Sequence, residues 1–78
     1  MLTNKTAKAS NPNTPVAVLE KLAMDGTADV RCRVAGNLNS PGVALEKLAM
    51  DDDVFVRWSV ANNSNTPKYI KVMLKICE

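Results

Sequence analysis

Residues 9–34 read ASNPNTPVAVLEKLAMDGTADVRCRV, and residues 35–60 read AGNLNSPGVALEKLAMDDDVFVRWSV. The two stretches align without a gap and share 14 of 26 residues, where unrelated sequences of ordinary composition share roughly one or two. A third copy, ANNSNTPKYIKVMLKICE, occupies residues 61–78 and covers 18 positions of the unit. A period of this length marks one supersecondary unit used repeatedly, so the chain reads as repeats 9–34 and 35–60 with a partial third at 61–78, within a single domain spanning 1–78.

Each unit opens on Asn-x-Asn-Thr/Ser-Pro: Asn11, Asn13, Thr14, Pro15; Asn37, Asn39, Ser40, Pro41; Asn63, Asn65, Thr66, Pro67. A hydroxyl able to accept an orphan backbone N–H, followed by a proline with preset φ, predicts a helix start. The helix continues with Val18, Leu19, Leu22 and Ala23, matched by Ala44, Leu45, Leu48 and Ala49. That spacing makes one apolar stripe, with Glu20, Lys21, Glu46 and Lys47 facing water. The pattern predicts an amphipathic helix of about ten residues.

Asp25-Gly26-Thr27 and Asp51-Asp52-Asp53 supply turn and cap chemistry for a second, shorter helical piece. Val30 and Val34, or Val56 and Val60, form its buried face. The spacing leaves open whether it is α or 3₁₀. Gly36-Asn37 and Asn62-Asn63 are expected to end it, because these residues tolerate left-handed backbone angles. No stretch carries strand alternation, and one such helix pair cannot bury its own stripe. Neighbouring units must stack, giving an all-α, short right-handed α-solenoid once the resemblance below supplies the hand.

The run Asn-Pro-Asn-Thr-Pro, then Leu-Glu-Lys-Leu-Ala-x-Asp, then Val-Arg-x-x-Val-Ala-x-Asn resembles the leucine-rich repeat variant family, and more loosely HEAT-type solenoids, over residues 9–78. The resemblance implies units alternating an α-helix with a shorter, often 3₁₀, helix in a right-handed superhelix. It also implies a general binding role without catalytic residues. Leu38 and Ser64 depart from it where the first copy has Pro12, as does the missing second half of the third copy.

Composition narrows function by exclusion. With 78 residues the chain forms one domain at most, burying about 60 to 65% of its unfolded surface. Hydrophobic residues make up 46% and charged ones 23%, the balance of an ordinary soluble domain. The N-terminal run MLTNKTAKASNPNTP lacks the apolar segment of a signal peptide, and Tyr69 to Cys77 is too short to span a bilayer, so a cytoplasmic protein is expected. There is no histidine, and Cys32 and Cys77 lie far apart in no CxxC pattern. A self-contained zinc or iron–sulphur site is excluded, and the thiols are expected to be small buried hydrophobes. No Walker loop, GxSxG or glycine-rich nucleotide turn is present. The expectation is therefore a protein without enzymatic activity, cofactor or small-molecule substrate.

Several positions remain as candidates for binding. Arg31 and Arg57 follow the core valine of each second helix, each preceded by the turn aspartate of its own unit, Asp25 or Asp51. Arginines so placed can pair with the aspartate of their own or the adjacent unit, forming a structural ladder. The paired asparagines read either as satisfying local backbone groups or as a polar binding strip. Phe55 and Trp58 stand where the first unit has Asp29 and Cys32, so the repeat does not require them. They either cover the third unit or anchor a partner. In the last helix, expected from Pro67 to about Ile76, the residues Tyr69, Ile70, Val72, Met73, Leu74 and Ile76 cover more than one stripe, while Lys68, Lys71 and Lys75 share the remaining face.

A partner interface is accordingly expected at Phe55, Trp58, Tyr69, Ile70, Met73, Leu74 and Ile76, with a C2 homodimer through the last helix. The alternative is a nucleic-acid-binding or regulatory adaptor contacting phosphates through Lys68, Lys71 and Lys75. Net charge is only +2, and no aromatics interleave that stripe, which weakens this second reading. A third reading makes the chain a solenoid fragment whose partner domain lies on another polypeptide.

Overall fold

A computed structural model describes residues 4–76, with side chains described through Leu74. Six helices follow one another: α1 Asn4–Ser10, α2 Val16–Leu22, α3 Ala28–Gly36, α4 Gly42–Ala49, α5 Val54–Asn62 and α6 Lys68–Ile76. Among the described residues there is no strand, and no helix is long and apolar enough to cross a membrane. The all-α class expected from the sequence is the class observed.

Helix α3 lies at the centre, packed against α1, α2, α4 and α5, and α4, α5 and α6 pack mutually. The apolar stripes of α2 and α4 meet there. Leu19, Leu45 and Leu48 are buried with Val30, Val34, Val56 and Val60 from α3 and α5. Each fully buried Leu or Val stabilises the fold by about 1.5–3 kcal/mol relative to exposure. Ala35 and Ala9 are also fully buried, small residues that let α1, α3 and α5 approach closely.

Four details differ from expectation. The Thr/Ser hydroxyls do not cap α2 and α4, whose N-caps are Pro15 and Pro41 with extended ψ and no side-chain cap bond. The hydroxyls are used as donors instead. Thr14 Oγ1 donates to the Lys8 carbonyl at 2.6 Å, Ser40 Oγ to that of Val34, and Thr66 Oγ1 to that of Val60 at 2.7 Å. Each adds a second bond to a last-turn carbonyl that already accepts the N–H three residues on, from Asn11, Asn37 or Asn63, while proline's fixed φ starts the next helix unaided.

The second helix of each unit is also α and not the shorter one. Helices α3 and α5 have nine residues each, against seven and eight for α2 and α4. No breaker interrupts Ala28 to Gly36 or Val54 to Asn62, and the core valines hold both ends of the helix. Nor does left-handed backbone end these helices. Among the described residues no φ is positive, and Asn37 and Asn63 are extended, with ψ of 125° and 121°.

Finally, α1 is a helix that apolar periodicity does not announce. Its residues stand one full repeat before those of α3, Asn4 matching Val30, Lys8 matching Val34 and Ala9 matching Ala35. With two core positions polar, it carries no stripe to read.

Candidate interaction surface

Two hydrogen-bonded ladders tie one sequence unit to the next. In the first, Asn37 Nδ2 donates to the carbonyls of Ala9 and Asn11 at 2.8 and 2.9 Å, while its Oδ1 accepts from Asn39 N–H at 2.8 Å. Asn63 repeats this one unit on, donating to Ala35 and Asn37 at 2.8 and 3.0 Å and accepting from Asn65 N–H. Both amides are buried. Asn39 and Asn65 donate across the same boundaries, to the carbonyls of Thr14 and Leu38. Asn11 makes only the local half of the motif, accepting from Asn13 N–H, and is exposed. The asparagines thus satisfy backbone groups that no helix reaches, including groups in the preceding unit.

The second ladder is charged. Arg31 Nε and Nη2 hold the Asp51 carboxylate at 2.8 and 3.3 Å, and Nη1 donates to the Asp25 carbonyl at 2.7 Å. Arg31 therefore takes the side chain of the adjacent unit's aspartate and only the backbone of its own. Asp25 is held by Lys5 Nζ at 2.9 Å. The apolar pattern does not single out Lys5, yet it stands one full repeat before Arg31, and extending the repeat backward by half a unit finds it. Lys5 is to Asp25 as Arg31 is to Asp51: each cation grips the carboxylate of the turn in the unit that follows.

Electrostatics follow this geometry. The Lys5 hydrogen bond and the Thr27 N–H hold the Asp25 carboxyl below the usual carboxylate range. For Asp51, burial pushes upward, but Arg31, the Asp53 N–H and Arg31's charge together keep it low. Asp51 in turn raises Arg31 against the opposing effect of burial.

Arg57 is the next cation in this series. Its Nη1 donates to the Asp51 carbonyl, as Arg31 does to Asp25, but among the described residues its guanidinium makes no ion pair. The sequence position that would correspond to Asp51 for this arginine is Cys77, which brings no carboxylate. Arg57 borders a groove of about 570 Å³ lined also by Ala49, Met50, Asp51, Asp52, Met73 and Leu74.

The predicted interface residues separate into two groups. Phe55, Trp58 and Tyr69 are exposed at 69, 65 and 56%, and Met73 at 42%. Phe55 and Trp58 form a shallow cleft with Val54, both rings standing largely in solvent. By contrast, Ile70 is fully buried and Leu74 is 8% exposed, which corrects their assignment to a partner surface. On α6 they occupy the face that completes the core against α4 and α5, Leu74 standing where Leu22 and Leu48 stand in the earlier units.

Of the lysine stripe, Lys68 is exposed and Lys71 half-buried. The side chains of Lys75 and Ile76, and Cys77 altogether, lie outside the described residues. Cys32 is half-buried against the core, and burial first, then the charge of Asp53, pushes its thiol upward. Burial and the Glu46 carboxylate do the same to the Tyr69 hydroxyl. Among the described residues no group of three His, Cys, Asp or Glu could hold a metal ion. The chain matches no family model, no curated protein and no solved structure.

Proposed function

We propose that the chain is a short right-handed α-solenoid of the leucine-rich repeat variant type that works as a non-enzymatic protein-interaction module and self-associates at its C-terminal end. Supporting the solenoid are the cross-unit bonds of the Asn and Arg/Asp ladders, which recur at the sequence period, and an elongated body of 34 × 20 × 16 Å. One observation carries the functional reading. At the α5–α6 end Met50, Phe55, Trp58, Tyr69 and Met73 stand in solvent, on faces that a terminal unit ordinarily makes polar. A two-fold dimer through this end covers apolar area without adding sequence.

Sedimentation across micromolar concentrations tests this. The expected result is a concentration-dependent dimer that Tyr69→Glu and Met73→Glu dissociate while circular dichroism stays helical. A helical monomer throughout rejects self-association.

A further inference from the structure

The groove at the C-terminal end holds two charges of opposite sign that do not satisfy one another. Arg57 is tethered to the Asp51 carbonyl and has no ion-pair partner among the described residues. Asp52 is exposed, lines the same groove and likewise makes no ion pair among the described residues. Asp51, between them, is committed to Arg31. Asp52 has no place in the repeat, since the first unit carries Gly26 there. Met50 and Met73, both exposed, and the buried Leu74 line the groove with them.

A surface with one cation, one anion and an apolar strip is complementary to itself under a two-fold axis, where residue i meets j and j meets i. A uniformly acidic partner would meet Asp52 and a uniformly basic one Arg57. Nor does the opposite end of the molecule fit as a mate. There α1 places Asn4 and Lys8 at the positions of the core valines, and head-to-tail stacking would bury the Lys8 charge without a partner.

We infer that the occupant of this groove is a second copy of the chain, docked so that Arg57 of each protomer holds Asp52 of the other across the Met50–Met73 strip. This rests on the self-association proposed above and fixes its register. Arg31 with Asp51 is the template inside the same chain: a guanidinium anchored by one backbone carbonyl that grips a carboxylate with its remaining donors.

Charge exchange tests the register. In Asp52→Lys the two positions are both basic, and in Arg57→Glu both acidic, so each variant alone faces like charges across the axis. In the mixed dimer, Arg57 of the Asp52→Lys protomer faces Asp52 of the Arg57→Glu protomer and the two substituted side chains face each other, so both contacts are again between unlike charges. Sedimentation equilibrium on the full chain is expected to show each variant weakened in dimerisation by at least about tenfold and the equimolar mixture returned to dimer, with circular dichroism reporting folded helices in all samples. Folded single variants that dimerise like the parent, or a folded mixture that stays monomeric, overturn the register while leaving self-association standing. A parent chain that never dimerises removes both. If Arg57→Glu does not fold, Asp52→Lys against Asp52→Asn decides: the lysine is expected to weaken the dimer well beyond the asparagine, and equal behaviour overturns the inference.

Discussion

The two ends of this molecule treat the same structural problem in opposite ways. At the N-terminal end, α1 keeps the small buried residue of the repeat, Ala9, but puts Asn4 and Lys8 where α3 and α5 have valines. Its first cation, Lys5, is matched to Asp25. At the other end α6 continues the core through Ile70 and Leu74, then turns Tyr69, Val72 and Met73 outward, and Arg57 stands without an ion pair among the described residues. A polar outer face stops a stack of helices from growing. An apolar one with unpaired charge invites a further layer. Among the described residues, the polar substitutions at core positions lie in α1 and the exposed apolar side chains gather on α5 and α6.

The largest effect expected to sharpen this contrast lies within α6 itself. Ile70→Ala opens a cavity in the core and should cost about 2–5 kcal/mol, whereas Tyr69→Ala beside it should stay within about 0.5 kcal/mol as a monomer. Urea titration at low protein concentration checks both, and equal costs would erase the distinction between core and outer faces. Next comes the Asn ladder. Asn63→Ala strands the Ala35 carbonyl and the Asn65 N–H, the Asn37 carbonyl keeping the Ser40 N–H, which should cost about 1–3 kcal/mol, while Asn11→Ala at the exposed end should be near neutral by the same titration.

A pH series comes third. The depressed Asp51 pKa means that its contribution is complete above the unfolded-state value near 4 and is lost as pH falls from there through the lower folded-state value. Thermal melts should therefore show an acid limb below about pH 5 that Arg31→Gln flattens in part, since Lys5 still holds Asp25 low, and that Arg57→Gln leaves unchanged. The smallest effect is expected at the aromatic face, where Phe55→Ala and Trp58→Ala should each shift monomer stability by no more than about 0.5 kcal/mol. A larger loss in thermal melts would mean these rings cover the core after all.

Helices α2 and α4 are legible in the sequence because their leucines recur at helical spacing and proline marks each start. The Arg/Asp spacing is legible as a ladder, although not its direction, since Asp25 and Asp51 are equivalent in sequence and only packing assigns each to the cation of the preceding unit. The hydroxyl of Thr14 reads as an acceptor and acts as a donor, because sequence gives the group but not the neighbour it faces. Helix α1 stays hidden since a polar outer face removes the apolar periodicity by which helices are found. On α6 the apolar residues lie on several faces and only alignment with the earlier units separates them: Ile70 and Leu74 stand at the stripe positions of Val18/Ala44 and Leu22/Leu48, Tyr69 and Met73 at those of Ala17/Val43 and Lys21/Lys47.

The cross-unit hydrogen bonds of the two ladders span 20 to 28 residues. Because every ladder contact closes a loop of about one repeat, each unit leans on its neighbour and not on a distant part of the chain, so folding can start at one junction and spread outward. The same regularity makes the whole repeat the unit of growth. Inserting one complete copy between Val34 and Ala35 preserves the register of the neighbouring bonds, whereas a copy shortened or lengthened by a single position would break the new junction. Duplication in frame with the period is thus the one kind of lengthening that this packing accepts without redesign.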